Sequence, residues 1–201
     1  ESTASATSNV QVLILDENAY GLSEPDVVIS GILDVLRSKQ ISTNDIFVEH
    51  LDLNRNRNAE HNERLASLLR HKLAHRTIGM IVAISPGVLE FLEKEGKDLF
   101  PDVPVLTIWM PQKAIAWKGP PRKLIKLQTQ KEVEGTWRHA LALFPKTRRL
   151  LVINGADNRG NVQPEEINTA LASLRKNMEV EYVGELSFEE MLQHASSLPA
   201  D

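Results

Sequence analysis

Short apolar runs rich in β-branched residues recur along the chain, each followed by a stretch with helical spacing, and this alternation constrains the fold more than any other feature. Five runs have the look of buried strands: Val10–Leu15, Ile46–Leu51, Ile78–Ile84, Val103–Ile108 and Leu150–Ile153, with a weaker sixth at Val180–Val183. Between them apolar residues repeat with helical period, as in Val28, Ile32, Val35 and Leu36, in Leu65, Leu68, Leu69 and Leu73, and in Val88, Leu89 and Leu92. Strands alternating with helices predict an α/β fold built on parallel sheet covered on both faces.

Serines mark the expected helix starts. Ser23 stands three residues before Asp26, Ser85 directly before Pro86, and Ser187 three residues before Glu190 in a capping-box pattern. Such a serine is first a cap, although a helix N-terminus can also meet a ligand. The alternation breaks once, at "MPQKAIAWKGPPRKLIKLQTQ", where Pro111, Gly119, Pro120 and Pro121 deny a continuous helix. The chain thus divides into a lead-in at 1–9 expected to be disordered, a first α/β lobe at 10–110, a crossing at 111–130 and a second lobe at 131–201. Its last residues, "MLQHASSLPAD", read as a helix and a proline stop where another strand is expected, so the second lobe reads as incomplete.

With 201 residues and 42% hydrophobic content the chain can bury a substantial core. Its net charge of −4, with 23 basic residues among 27 acidic ones, offers no field to hold nucleic acid. No apolar run approaches the roughly 18 residues of a membrane helix. The absence of cysteine excludes disulfides, thiolate nucleophiles and cysteine metal sites, and is compatible with cytoplasm or periplasm. The opening "ESTASATSN" has no apolar core of a signal peptide and is what processing could leave behind.

Catalytic motifs are missing. There is no G-x-S-x-G elbow, no P-loop and no G-x-G-x-x-G, and "NGADNRG" lacks the spacing for either phosphate loop. His71 and His75 are spaced for a shared metal, but Arg70, Lys72 and Arg76 around them make a solvated basic face. The expectation is therefore no enzyme, no cofactor and no metal. Better candidates lie at the carboxyl ends of the strands, where open parallel sheets bind ligands. Asn18, Tyr20 and Ser23 follow the first strand, Asp52 the second, Ser85 the third, Trp109 the fourth, and Asp157 and Asn158 the first strand of the second lobe. Amide, hydroxyl and carboxylate groups beside aromatic rings are what orient a small polar ligand; equally, Tyr20 and Trp109 can be packing residues and the Asn, Asp and Gly simple turn formers.

The order of these signals is familiar. "VLILDENAYGLSEPDVVISGILDVL", "IFVEHLDLNR", "IGMIVAISPGVLEFLEKEGKDLFPDVPVLTIW" and "ALFPKTRRLLVINGADNRG" resemble the ABC-transporter substrate-binding-protein-like sensor domains, from Val10 to near the end of the chain. Leu99–Val105 and Leu143–Arg149 carry the most specific part of the likeness. The resemblance implies a type I periplasmic-binding-protein-like fold of two Rossmann-like lobes, with a ligand cleft between them. It further implies a periplasmic or extracytoplasmic, non-catalytic module of a membrane-anchored histidine kinase or diguanylate cyclase, possible as a homodimer, or a transporter's solute-binding component. A domain that has lost its ligand and instead binds a partner protein is the other reading.

Carried over residue by residue, the family's cleft falls on Asn18, Tyr20 and Gly21, on Ser85 and Pro86, on Trp109, and on Gly155, Ala156 and Asp157. The first loop, "DENAYGLSEPD", departs from the histidine-serine-tyrosine start that family members often have, so the ligand class does not transfer.

Overall fold

The computed structural model describes residues 10–56, 58–110, 117–128, 133–155, 164–172, 174–176 and 178–198. The chain forms two compact units, Glu1–Thr129 and Gln130–Asp201.

In the first unit, strand β1 (Gln11–Asp16) leads to helix α1 (Ser23–Ser38), β2 (Ile46–His50) to α2 (Ala59–Leu73), and β3 (Ile78–Ile84) to α3 (Pro86–Lys94), followed by β4 (Val105–Met110) and β5 (Leu124–Gln128). The five strands form one parallel sheet in the order β2-β1-β3-β4-β5. β1, an interior strand, is buried from Val12 to Asp16, as a parallel strand covered on both sides must be.

Side-chain alternation divides the core into two layers. Leu13, Leu15, Ile81, Ala83 and Val105 point to the face that holds Ala66, Leu69 and Leu73 of α2 and Val88, Leu89, Phe91 and Leu92 of α3. Val12, Ile14, Val82, Ile84 and Ile108 point to the opposite face, under Val28, Ile29, Ile32, Leu33 and Leu36 of α1.

Within 111–130, where the sequence shows only proline and glycine breaks, Leu124–Gln128 adds a fifth, edge strand to this sheet. Ser23 is not the cap that its spacing suggested. It is the first helical residue, because the Asp26 amide already donates to the Leu22 carbonyl at 3.1 Å and Leu22 stands extended in the N-cap. Asn58 caps α2, its Oδ1 accepting from the His61 amide at 2.7 Å.

The second unit holds α4 (Val133–Leu143), β6 (Arg149–Gly155), α5 (Pro164–Leu171), β7 (Glu179–Leu186) and α6 (Phe188–Ser196). β6 and β7 are parallel neighbours, and Val152, Ile167 and Leu171 form a small core with Trp137, Val180 and Tyr182. The capping box at Ser187 and Glu190 forms as expected. Among the described residues no helix is long and apolar enough to cross a membrane.

Candidate functional site

The strand order creates a crevice. From β1 the chain steps outward to β2 through α1 on one face; from β2 it returns across β1 to β3 through α2 on the other, and α3 continues on that face. The connections that leave the carboxyl ends of β1 and β3 therefore diverge to opposite faces, and a parallel sheet binds ligands at such a switch point.

Asp16, the last residue of β1, is fully buried at this point. Parallel register sets it beside His50, the last residue of β2, and the His50 Nδ1 lies 3.0 Å from Asp16 Oδ2. A carboxylate oxygen accepts, so the His50 Nδ1 that faces it is the donor of this bond. Asp16 Oδ1 accepts from the Asn18 amide at 3.2 Å and from Asn18 Nδ2 at 3.1 Å. Asn18 Oδ1 in turn accepts from Asn54 Nδ2 at 2.9 Å. These bonds keep a buried charge partnered, without which its burial would be strongly unfavourable. Backbone bonds hold the β2 loop to the same edge, from the Leu51 amide to the Asp16 carbonyl at 2.8 Å and from the Leu53 amide to the Glu17 carbonyl at 2.9 Å.

Tyr20 extends outward from this network. Its ring is 82% exposed and meets the His50 imidazole edge-on, with centroids 5.4 Å apart. Gly21, at φ +89°, makes the turn that starts the approach to α1, a backbone state natural only to glycine.

Glu17 turns the other way. It is 4% exposed, and its Oε2 accepts the Gly87 amide at 2.9 Å, at the amino end of α3. Ser85 occupies the N-cap of α3 but makes no side-chain cap bond; its backbone stands at φ 76°, ψ 156°, a region nearly reserved for glycine. The Ser85 amide donates to the Ile108 carbonyl at 3.0 Å and Pro86 opens the helix, so the capping acceptor comes from Glu17 across the crevice rather than from Ser85. Gly87 is needed for this contact: a Cβ there would stand 2.5 Å from Glu17 Cδ and 2.6 Å from Oε1.

Two more strand ends carry left-handed backbone. Asp52 (φ 51°) binds Arg55 in a fork, with Nε to Oδ1 at 2.7 Å and Nη2 to Oδ2 at 2.8 Å, and Asn56 Nδ2 adds a bond at 3.1 Å. The hydrogen bond from Arg55 is the main cause that holds the Asp52 carboxyl below its ordinary pKa. Asp52 is thus committed to its own loop. Trp109 (φ 59°) sits where β4 loses register with β5, between Thr107 and Met110, and its half-buried indole packs against the core under α1.

Of the residues expected from sequence, Asn18, Tyr20, Gly21, Ser85 and Pro86 stand at the ends of β1 and β3, while Trp109 belongs in part to the core. Gly155 ends β6; Ala156, Asp157 and Asn158 lie outside the described residues. Sequence reasoning missed Asp16, Glu17, His50, Asn54 and Gly87. Among the described residues no cluster of His, Asp and Glu is arranged to hold a metal ion.

No family model matches the chain, and no curated protein matches it by sequence. Solved structures do. An ABC domain in complex with L-Trp from Streptococcus pneumoniae aligns at TM-score 0.61 with 14% identity, over 94% of this chain and 62% of that one. The ligand-free, open structure of a substrate-binding protein with adhesive properties from Clostridium difficile aligns at TM-score 0.58 with 18% identity, over 95% of this chain and 62% of that one. A conserved domain protein from Vibrio cholerae aligns at TM-score 0.58 with 13% identity, over 92% and 60%. The fold is type I periplasmic-binding-protein-like. The chain spans between 60% and 62% of the length of these three structures.

Proposed function

We propose that the chain binds a small polar solute at the carboxyl edge of its first sheet, between the ends of β1 and β3, without transforming it. The observation that carries this reading is the convergence of the Asp16–His50–Asn18–Asn54 network, the exposed Tyr20 and the strained Ser85 at the switch point. Strained backbone persists where surrounding structure holds it, and it clusters at ligand sites. A ring that is mostly exposed beside a fixed imidazole is a platform on which a solute can lie. The binding roles named for two of the structural neighbours support a binding protein rather than an enzyme. Asp157 and Asn158 enter the proposal from their place after the first strand of the second lobe in the sequence, and Asp157 also from the family resemblance.

In its finer form, the chain is the extracytoplasmic sensor module of a membrane-anchored signalling protein, where solute binding shifts a conformational equilibrium by its differential affinity for the two states. Use as the solute-binding component of a transporter is the second form, favoured by the substrate-binding neighbour.

The test is a thermal-shift screen against amino acids, sugars, nucleobases, organic acids and peptides. A solute at about one hundred times its Kd stabilises the fold by about 2.7 kcal/mol, a shift of several degrees for a chain of this size. The shift should shrink for Tyr20→Ala, whose own melting point should stay close to wild type because the ring is 82% exposed. No stabilisation by any class, or full stabilisation in Tyr20→Ala, would count against this site.

A further inference from the structure

The amino end of α3 is where the switch-point edge would receive an anionic group, since free amides and the helix dipole both favour negative charge there. In this chain the position is already filled. Glu17 is 4% exposed and lodges Oε2 at 2.9 Å from the Gly87 amide, and the lack of a side chain at Gly87 is what leaves room for it. The charge around it points the same way independently. Asp16 is fully buried one residue earlier, and among the described residues of the edge loops and strand ends the basic groups are His50, taken by Asp16, and Arg55, taken by Asp52. Among the described residues of this edge, an incoming anion would meet the Asp16 and Glu17 carboxylates.

We infer that Glu17 is the residue that sets the charge class of the ligand: its carboxylate acts as a built-in occupant of the α3 amino end and excludes an anionic group from the first unit's edge. The solute therefore turns a neutral or cationic part toward β1 and β3. This deepens the binding proposal and rests on it for its meaning, but the occupancy by Glu17 is separately measurable.

The experiment follows the Gly87 amide by ¹⁵N–¹H correlation spectra of the full chain during titration with inorganic phosphate, sodium chloride keeping the ionic strength constant. Wild type should show no saturable displacement of this signal. Glu17→Ala, with the position emptied, should gain one, and Glu17→Gln, which keeps the volume and drops the charge, should gain a weaker one. If Glu17→Ala does not fold, the contrast between Glu17→Gln and wild type decides alone. A wild-type response as strong as the variant's, or no response in any folded variant, overturns the inference. A silent solute screen would instead sink the binding proposal and leave a phosphate response gained by the variants standing. A saturable wild-type Gly87 response would do the reverse, showing an edge open to anions.

Discussion

Gly87→Ala is the substitution whose outcome depends most sharply on the geometry of the switch point. Placed on a helix, a glycine-to-alanine change is ordinarily favourable by up to about 1 kcal/mol. Here the added Cβ would stand 2.5 Å from Glu17 Cδ and 2.8 Å from Oε2, closer than real Cβ atoms approach their neighbours. Glu17 must then withdraw, but it is 4% exposed and its carboxylate gives the Gly87 amide its acceptor. Losing a hydrogen bond to a charged group costs about 1.5–3 kcal/mol.

Subtracting the helix gain leaves a net destabilisation of about 1–2 kcal/mol or more. Urea denaturation of wild type, Gly87→Ala, Glu17→Ala and the double variant closes a thermodynamic cycle. With Glu17 gone the alanine has nothing to strike, so Gly87→Ala should be neutral or mildly stabilising in that background, and the coupling should reach about 2 kcal/mol. A Gly87→Ala protein as stable as wild type, or additive single changes, would refute the packing of Glu17 against α3.

Ser85→Gly should stabilise the fold. Relief of a backbone at φ 76°, ψ 156° is worth about 1–3 kcal/mol, against about 0.5–1 kcal/mol for the extra entropy of an unfolded glycine, and a lower melting point would contradict the strain. Acid should weaken the protein through Asp98, which Arg70 binds in a fork at 2.8 Å for both contacts and holds below its ordinary pKa, the hydrogen bond from Arg70 being the main cause. A carboxyl depressed on folding stabilises at pH values above its unfolded value of about 3.9 and loses that contribution as pH falls through the folded value. Asp98→Asn should accordingly lower stability at pH 7 and flatten the loss below about pH 4, as melting curves across pH would read; an unchanged acid limb would show that the pair contributes nothing.

The central strands were legible because a parallel strand buried on both faces must be a continuous apolar run, and Val12 to Leu15, Ile81 to Ile84 and their neighbours are such runs. β5 was not, because "LIKLQ" lies at the sheet edge with only Leu124 in the core, while Ile125 and Leu127 are exposed and Lys126 breaks the run. The strand-end rule placed Asn18, Tyr20 and Ser85 at the switch point. It could not find the Asp16–His50 pair, since the partners are 34 positions apart and meet only through strand register. Glu17 and Gly87 are 70 positions apart, and the one local hint was a glycine directly after Ser85–Pro86 where a serine cap should have sufficed. Ser85 looked like a cap because residue type reports position, not the backbone angles that deny its hydroxyl the bond.

The most direct test of solute binding at this edge is a residue-resolved titration: ¹⁵N–¹H spectra of the chain against one representative each of the amino acids, sugars, nucleobases, organic acids and peptides. The account predicts that one class gives saturable displacements gathered at Asn18, Tyr20, Gly21, Asn54 and Ser85. Saturable displacements elsewhere with this edge silent, or no saturable response to any class, would contradict it.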